Sequence, residues 1–400
     1  MASLALVFNL LLATTTMFTT RHRHNILLFS TLSLFIFTPL VLADCECGYL
    51  STTGELLPNP HNPNAPTHQQ HHALFTDLIE SDFTKLVPEG QGDAAISANT
   101  DWVRQAFNLS DQRARGDYGE MFAVENVLAT EKLEDDQGLK LIVRREVVED
   151  MVPVAEIDTR RLDMYWGTFR ASMKMTGVSG TCAAFFWYFN DTQEIDMEFL
   201  SKDFDKSNNS YPVNLVLQSR EAVLNGYDAA ATSNFVKAYL PFDPTEDFHE
   251  YRIDYLPGRV YFYVDGGLLA KIDGPAVPSS AGHLILQHWS NGNKLWSGGP
   301  PGRDASLVVR YVKAYFNSSR AERQRDWEGR CKDPGAKGAV CKVPDVLPQN
   351  GTAGGWFFMD QGNMTNNQTV WGNEGAMGGR LPGIGGLAMW VCVMFLLILL

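Results

Sequence analysis

The feature that most constrains the fold of this chain is a repeated alternation of apolar and polar residues with a period of two. Such alternation puts successive side chains on opposite faces of an extended strand. It occurs over 139–143, 169–175, 194–200, 213–218 and 251–255, and further strand-like runs lie at 183–189, 259–264, 268–272, 283–289 and 306–316. Long amphipathic helices are scarce, and Asp265-Gly266-Gly267 separates two of the segments with residues that adopt positive φ easily, which predicts a hairpin. The pattern predicts an all-β fold, an antiparallel two-sheet sandwich or jelly roll.

Composition and charge narrow the classes of partner. Hydrophobic residues make up 45% of the 400 residues, which suffices for a large packed core and excludes a disordered chain. The formal net charge of −13 repels phosphate backbones and anionic lipid headgroups. We therefore expect no nucleic-acid partner.

Residues 1–43 are predicted to be a signal peptide. The segment 25–43 is apolar, follows the basic cluster 21–24 and ends at Ala43, whose small side chain suits signal peptidase. Initiation at Met17 would give the more ordinary order of a basic and then an apolar segment. An uncleaved membrane anchor is the alternative interpretation.

Residues 379–400 are predicted to signal the attachment of a glycosylphosphatidylinositol (GPI) anchor. Small residues and a short spacer precede the apolar tail 387–400. A C-terminal transmembrane helix is the alternative, since the tail is only slightly shorter than a membrane span. We expect a secreted protein at the outer face of the plasma membrane or in the cell wall, attached to the membrane through its C-terminus.

Sequons and cysteines agree with secretion. The sequons predict N-glycosylation at Asn108, Asn190, Asn208, Asn317, Asn350, Asn363 and Asn367. Cys331 and Cys341 flank a short loop and are the predicted disulfide pair, which leaves one thiol unpaired among Cys45, Cys47 and Cys182. Half of a metal site at Cys45-x-Cys47 is the alternative, but no matching pair stands at ligand spacing. We expect no metal and no cofactor.

Composition divides the remaining chain into four segments. Residues 44–73 are predicted to be a linker, a metal site being the alternative for the histidines at His61, His68, His71 and His72. The globular domain is predicted over 74–320, followed by a Cys-containing extension over 321–345. Residues 346–378 are rich in Gly and Asn and predict a glycosylated stalk.

The segment Glu-Ile-Asp-Met-Glu-Phe-Leu places three carboxylates on one face of a strand. Glu194, Asp196 and Glu198 alternate with apolar residues, and no Lys or Arg lies between them. A solvated outer face is the ordinary explanation. Like charges side by side destabilise a strand, however, and ligand chemistry would explain why this cost is kept. On spacing alone, both interpretations stay open.

The acidic strand resembles the E-I-D-x-E-[FY]-[LIV] signature of glycoside hydrolase family 16. The similarity covers roughly residues 75–320 and includes YWGTFRA (165–171), FHEYRIDY (248–255), VYFYVDG (260–266), LQHW (286–289) and WSGGP (296–300). The resemblance implies a curved, concanavalin A-like β-jelly roll, in agreement with the alternating pattern. It also implies that 74–320 is a glycoside hydrolase catalytic domain.

By motif position, the resemblance implies that Glu194 is the nucleophile, Glu198 the acid/base and Asp196 an auxiliary carboxylate. Retaining glycosidases hold two carboxyl groups about 5–5.5 Å apart, whereas residues four apart on a strand have Cα atoms about 13 Å apart. Curvature and inward-leaning side chains must close that gap. The candidates for substrate binding are aromatic or polar side chains: Trp166, Asn214, Gln218, Gln287, His288, Trp289 and Trp296.

The combined prediction is a retaining endo-hydrolase or transglycosylase that acts on cell-wall β-glucan through a covalent glycosyl-enzyme. Hydrolysis and transglycosylation share that intermediate, and the sequence does not separate them. The alternative is a lectin-like jelly roll that binds glycan without cleaving it. The intact acidic triplet argues against a lectin, which needs no general acid. A purely structural wall glycoprotein would leave the triplet unexplained.

Overall fold

Two large β-sheets pack face to face around the hydrophobic core. The computed structural model of the chain describes residues 44–54, 71–86, 101–130, 136–347, 351–362 and 364. The strands are β1 (Gly48–Thr53), β2 (His71–Phe75), β3 (Asp77–Asp82), β4 (Trp102–Arg104), β5 (Phe107–Leu109), β6 (Gly119–Phe122), β7 (Val127–Ala129), β8 (Leu139–Val143), β9 (Met151–Thr159), β10 (Met164–Lys174), β11 (Cys182–Asn190), β12 (Gln193–Leu200), β13 (Pro212–Ser219), β14 (Phe235–Tyr239), β15 (His249–Leu256), β16 (Arg259–Val264), β17 (Gly267–Asp273), β18 (His283–Trp289), β19 (Ala305–Ser318) and β20 (Val340–Lys342). The helices are α1 (Asp111–Ala114), α2 (Arg220–Leu224) and α3 (Ala321–Arg330), with 3-10 turns at Phe83–Lys85, Val124–Asn126, Ser201–Asp203, Ala229–Ala231, Gly351–Gly355 and Phe358–Asp360.

The sheet that carries the acidic strand, called here the site sheet, has the order β14-β13-β12-β11-β18-β9-β6-β5, with β4 beside β9. The opposing outer sheet has the order β17-β16-β15-β10-β19-β8-β7, with β3 beside β19. Among the described strands of both sheets, neighbours are antiparallel except for β6 and β9. The predicted fold class, an all-β antiparallel two-sheet sandwich, is confirmed.

Alternate residues of both sheets fill the space between them. The site sheet buries Ala183, Phe185, Trp187, Ile195, Met197 and Phe199, and the outer sheet buries Phe169, Ala171, Met173, Tyr251, Ile253 and Tyr255. Burying one large apolar side chain contributes about 1.5–3 kcal/mol. A slip of one residue in any strand would turn its apolar set to the other face, so the core fixes which side chains remain outside.

The strand segments predicted from alternation are all strands in the structure. Asp265 and Gly266 form the turn between β16 and β17, with φ values of 44° and 73°, so the predicted hairpin is confirmed. β9 lies outside the predicted segments, because Glu156 and Asp158 interrupt its apolar character.

A small third sheet joins the two ends of the described chain. β1 pairs antiparallel with β2 and parallel with β20. Disulfides join Cys45 to Cys341 and Cys47 to Cys331, so the predicted Cys331–Cys341 pair is wrong. Both of those cysteines face the N-terminal segment, because β1 packs beside β20. The free cysteine among the described residues is the buried Cys182.

Residues 44–54, 331–347 and 351–358, called here the terminal cover, lie over the outer sheet. Arg170 donates to Ser51 Oγ at 3.0 Å and to the carbonyl of Pro344 at 2.8 Å. Lys313 Nζ donates to two carbonyls of the terminal cover, each at 2.7 Å. Both cationic side chains are buried. These hydrogen bonds offset the cost of their burial and hold the cover in place.

The structure differs from the predicted segment boundaries at both ends of the domain. Part of the predicted linker 44–73 is strand, since β1 pairs along both of its edges. In the predicted stalk 346–378, the described residues include Phe357 and Phe358, which are buried. An average composition dominated by Gly and Asn hid this short aromatic run.

Several predictions concern residues outside the described ranges, namely the signals 1–43 and 379–400, the sequons at Asn350, Asn363 and Asn367, and His61 and His68. In the described ranges, no helix combines the length and apolar character needed to cross a membrane. Of the other sequons, Asn108 and Asn208 are exposed. Asn190 and Asn317 are half-buried, and their side chains accept backbone hydrogen bonds.

Candidate active site

The hairpin of β11 and β12 presents the acidic triplet on the face of the site sheet that points away from the core, called here the site face. Asn190 Oδ1 closes the turn by accepting hydrogen bonds from Thr192 N at 3.0 Å and Thr192 Oγ1 at 2.9 Å. The alternate apolar residues of β12 are buried in the core. Glu194, Asp196 and Glu198 therefore share the site face, as the alternation predicted; Asp196 is only 4% exposed.

The neighbouring strands add polar side chains beside the triplet. On β13, Gln218 stands directly opposite Glu194, and Asn214 stands opposite Glu198. On β11, Tyr188 is the cross-strand partner of Glu194. Asn214 and Gln218 thus lie on the site face beside the triplet, and their predicted role in substrate binding stays a prediction.

Two donors hold one oxygen of Glu198. Trp296 Nε1 donates to Glu198 Oε1 at 3.0 Å, and Cys182 Sγ donates to the same oxygen at 3.7 Å. A proton on Glu198 is therefore carried by Oε2. Burial raises the pKa of Glu198 to about 7, and the two hydrogen bonds and the positive charge of Arg115 oppose that rise.

Asp196 and Glu194 share a hydrogen bond. Burial, together with the negative charge of Glu194, raises the pKa of Asp196 well above its ordinary range. Burial also raises the pKa of Glu194, but the hydrogen bond from Asp196 lowers it. Asp196 is therefore the protonated donor and Glu194 the ionised acceptor. Because the carboxyls are crowded on one strand, their pKa values differ: Asp196 keeps its proton to higher pH, while Glu194 can ionise and act as a nucleophile.

A second acidic group lies further along the site sheet. It consists of Glu120 on β6 and Glu156 and Asp158 on β9, and Gln287 of β18 donates to Glu156. Burial and repulsion from Glu156 raise the pKa of Glu120 to about 8. Burial, and then the charge of Glu194, raises the pKa of Glu156 to about 7 against the hydrogen bond from Gln287. The site face is an extended acidic surface that is partly protonated near neutral pH.

The other predicted substrate-binding residues are only partly at the site. Trp166 lies on β10 of the outer sheet, stacked on a neighbouring tyrosine with ring centroids 4.3 Å apart. His288 is fully buried between the sheets, with Nε2 2.9 Å from Thr181 Oγ1, and its predicted role is wrong because its position on β18 turns it to the core. Trp289 shares the site face with Gln287 but packs half-buried against an apolar cluster.

Several residues of the site lie outside the predicted set, and Cys182, Glu156 and Arg115 show why. Cys182 reaches Glu198 because it begins the strand that pairs with β12. The period-two pattern of β9 was the signal that could have found Glu156. No local pattern marks Arg115, which approaches from the connection between β5 and β6. In the part of the chain that the structure describes, no three His, Cys, Asp or Glu side chains are arranged to hold a metal ion.

Fold and site together define a class of protein. A two-sheet sandwich that carries two glutamates and an aspartate side by side on one face of a strand has the arrangement of a glycoside hydrolase. Comparisons with known proteins point to a particular family. Residues 121–304 match the model for glycosyl hydrolases family 16, which supports a glycoside hydrolase domain over this part of the chain.

The chain is similar to several proteins of known identity. It is 31% identical over 139 residues to a beta-glucanase of Paenibacillus polymyxa, covering 33% of this chain and 52% of that protein. It is 25% identical over 241 residues to a beta-glucanase of Acetivibrio thermocellus, covering 58% and 67%. A solved Bacillus licheniformis beta-glucanase aligns with a TM-score of 0.45 and 16% identity over 60% of this chain and 98% of that one. The chain thus spans about half the length of the first relative.

Proposed function

We propose that the protein is a retaining endo-hydrolase or transglycosylase that acts on cell-wall β-glucan through a covalent glycosyl-enzyme. The observation that carries the proposal is the arrangement of the triplet on one face of β12, where Trp296 and Cys182 hold Oε1 of Glu198 and Asp196 lies between the two glutamates. The family match over this strand and the beta-glucanase relatives support it. A lectin-like role is not favoured, because glycan binding needs no such pair.

In the first step, the Glu194 carboxylate attacks the anomeric carbon while Glu198 gives its Oε2 proton to the departing oxygen. The bond to the leaving sugar breaks as the bond to Glu194 forms. In the second step, ionised Glu198 takes a proton from water or from a sugar hydroxyl, whose oxygen attacks the anomeric carbon and releases Glu194. Asp196 donates to Glu194 in both steps and stabilises it as the departing carboxylate.

The proposal includes the location of the enzyme. Two disulfides and the exposed sequons at Asn108 and Asn208 favour an oxidising, secretory environment. We place the enzyme outside the cell, facing wall polysaccharide and attached to the membrane through its C-terminus. Release of the protein from membranes by a phosphatidylinositol-specific phospholipase tests the attachment.

Turnover on a panel of β-glucans tests the activity, with and without labelled oligosaccharide acceptors to separate transfer from hydrolysis. Glu194→Gln should abolish turnover on every substrate while the fold is kept. Glu146→Gln, which removes an exposed carboxylate elsewhere, is the matched control. A 2-fluoro glycoside with a good leaving group should trap the glycosyl-enzyme, with the label on Glu194 by peptide mass spectrometry. Wild-type turnover in Glu194→Gln, or a label on another residue, would overturn the assignment.

A further inference from the structure

Two side chains meet above the acidic triplet. The guanidinium carbon of Arg115 lies over the ring of Tyr227, 4.3 Å from its centroid. Arg115 follows α1, between β5 and β6, whereas Tyr227 lies between α2 and β14. In the order of the site sheet, β14 and β5 are the two opposite edges. The contact therefore joins segments that the sheet itself holds far apart.

The two residues are also attached to opposite ends of the acidic strand. Tyr227 is tied to the Gln193 end, because its hydroxyl donates to Asp191 at 3.4 Å and its carbonyl accepts from Gln218 at 3.3 Å. The carbonyl of Arg115 accepts from Asn293 at 3.0 Å. Asn293 follows β18, whose last residue stands beside the strand partner of Leu200.

The contact thus crosses the cleft from one rim to the other. Eight residues of β12 span about 23 Å at the usual rise of a strand. The Arg115–Tyr227 contact joins a residue attached at one end of this strand to a residue attached at the other. The positive charge of Arg115 acts on both Glu194 and Glu198, as expected of a guanidinium that lies over the triplet.

Both residues hold unusual backbone conformations. The φ angle is 59° at Arg115 and 68° at Tyr227, in the left-handed region that favours glycine. Such conformations cost about 1–3 kcal/mol each for other residues and collect where a functional geometry is imposed. Here they aim two long side chains at each other from opposite rims.

The contact is weak enough to open. Arg115 is solvent-exposed and Tyr227 half-buried, and a cation–π pair of this kind contributes about 0.5–1 kcal/mol. We propose that Arg115 and Tyr227 form a gate across the cleft, which must open for an internal segment of a polysaccharide to reach Glu194 and Glu198. This inference rests on the proposed function, and it identifies the pair as specificity-determining, because the closed gate disfavours long chains relative to short oligosaccharides.

Comparison of a soluble β-glucan with an aryl glycoside of two or three sugars tests the gate. Tyr227→Ala opens it without changing charge, and should raise kcat/KM on the polymer about 2- to 5-fold, as expected from the strength of the contact, while the short substrate changes little. Tyr227→Phe keeps the ring and should resemble the wild type. Arg220→Ala, which removes an exposed charge from α2, is the control. Equal effects on both substrates, or a loss on the polymer in Tyr227→Ala, would overturn the proposal.

A reversible lock provides the independent test. In Arg115→Cys/Tyr227→Cys, a bifunctional methanethiosulfonate should join the two rims, and mild reduction should release them. Relative to the same double variant in its reduced state, the locked enzyme should lose at least 10-fold in kcat/KM on the polymer, show an equal rate on the short substrate, and recover on reduction. Unchanged polymer cleavage in the locked enzyme would exclude a gate. Wild-type protein treated with the same reagents is the control. If it cleaves neither substrate, the proposed function is wrong; if it cleaves both and the locked variant still cleaves the polymer, only the gate is wrong.

Discussion

At the scale of the residue, Glu198 shows how one side chain can be prepared for the two roles proposed for it, general acid and general base. Trp296 and Cys182 both donate to Oε1, which fixes the plane of the carboxyl group and leaves Oε2 to exchange a proton. Donors stabilise the ionised form, while burial favours the neutral form. The balance places the pKa at about 7, where a group can give a proton in one step and take one in the next.

Trp296→Phe should shift the basic limb of the pH profile to higher pH. Loss of the indole donor raises the pKa of Glu198, and a general acid works only while protonated, so activity extends upward. A hydrogen bond to a charged group is worth about 1.5–3 kcal/mol, which corresponds to a shift of about one pH unit or more. The profile of kcat/KM measures it. Trp327→Phe, which removes an indole donor bound to the carbonyl of Cys47, should leave the limb in place.

Asp196→Ala should instead move the acidic limb. The hydrogen bond from Asp196 lowers the pKa of Glu194, so its loss raises that pKa and Glu194 becomes ionised only at higher pH. Turnover should fall at least about tenfold with little change in KM. Asp196→Asn keeps an N–H donor and should move the limb less. If either variant kept its turnover and pH profile but bound substrate much more weakly, Asp196 would be a sugar ligand.

The sequence predicted the triplet because alternation on one strand is a local property. Period two alone was enough to put Glu194, Asp196 and Glu198 on one face. The contacts of Cys182 and Arg115 are not local, since they depend on strand pairing and on loops that cross the sheet. His288 shows what a local sequence pattern cannot predict. Its neighbours in sequence suggested a site residue, but its position on β18 places its side chain on the core side of the sheet, where it is buried.

At the scale of the element, the terminal cover is the part that sequence patterns did not reveal. β1 is six residues long, and its parallel partner β20 lies near the other end of the domain. A short strand whose partners are both remote carries no hairpin signal. The disulfide pairing follows from that same remote contact.

The two disulfides should be strongly non-additive. While Cys45–Cys341 is intact, Cys47–Cys331 closes a ring of only about a dozen residues, so its removal as a Ser/Ser pair should cost about 3 kcal/mol. Removing both bridges frees a loop with a sequence separation of 284, which should cost roughly 5 kcal/mol more. Denaturant unfolding of the two single-pair variants and the double-pair variant measures this. Single-pair losses that sum to the double-pair loss would contradict it.

At the scale of the whole molecule, the acidic site face links activity to stability. Carboxyls with a raised folded pKa bind protons more tightly in the native state than in the unfolded chain, where the pKa of Glu is about 4.3. Their favourable contribution is therefore fully present below that value and is lost as pH rises to the folded pKa. The enzyme should become less stable through the pH range in which Glu194, the proposed nucleophile, ionises.

Glu120→Gln tests this loss of stability on ionisation at a carboxyl that lies outside the triplet. Burial and repulsion from Glu156 place the pKa of Glu120 at about 8, so the ionised group destabilises the fold most above that pH. The amide cannot ionise, and the variant should gain at least about 1 kcal/mol at pH 9 and little at pH 5. Thermal unfolding at the two pH values measures the difference. Glu125→Gln, at an exposed position, should gain nothing at either pH.

The order of synthesis determines when the disulfides of the terminal cover can form. Cys45 and Cys47 leave the ribosome together, but their partners follow 296 and 284 residues later. At about 5–20 residues per second, that interval is roughly 15–60 s. Throughout it, the two thiols lie two positions apart without their native partners, while the sandwich is still being made. The cover therefore closes last, and correct oxidation has to wait for a nearly finished domain.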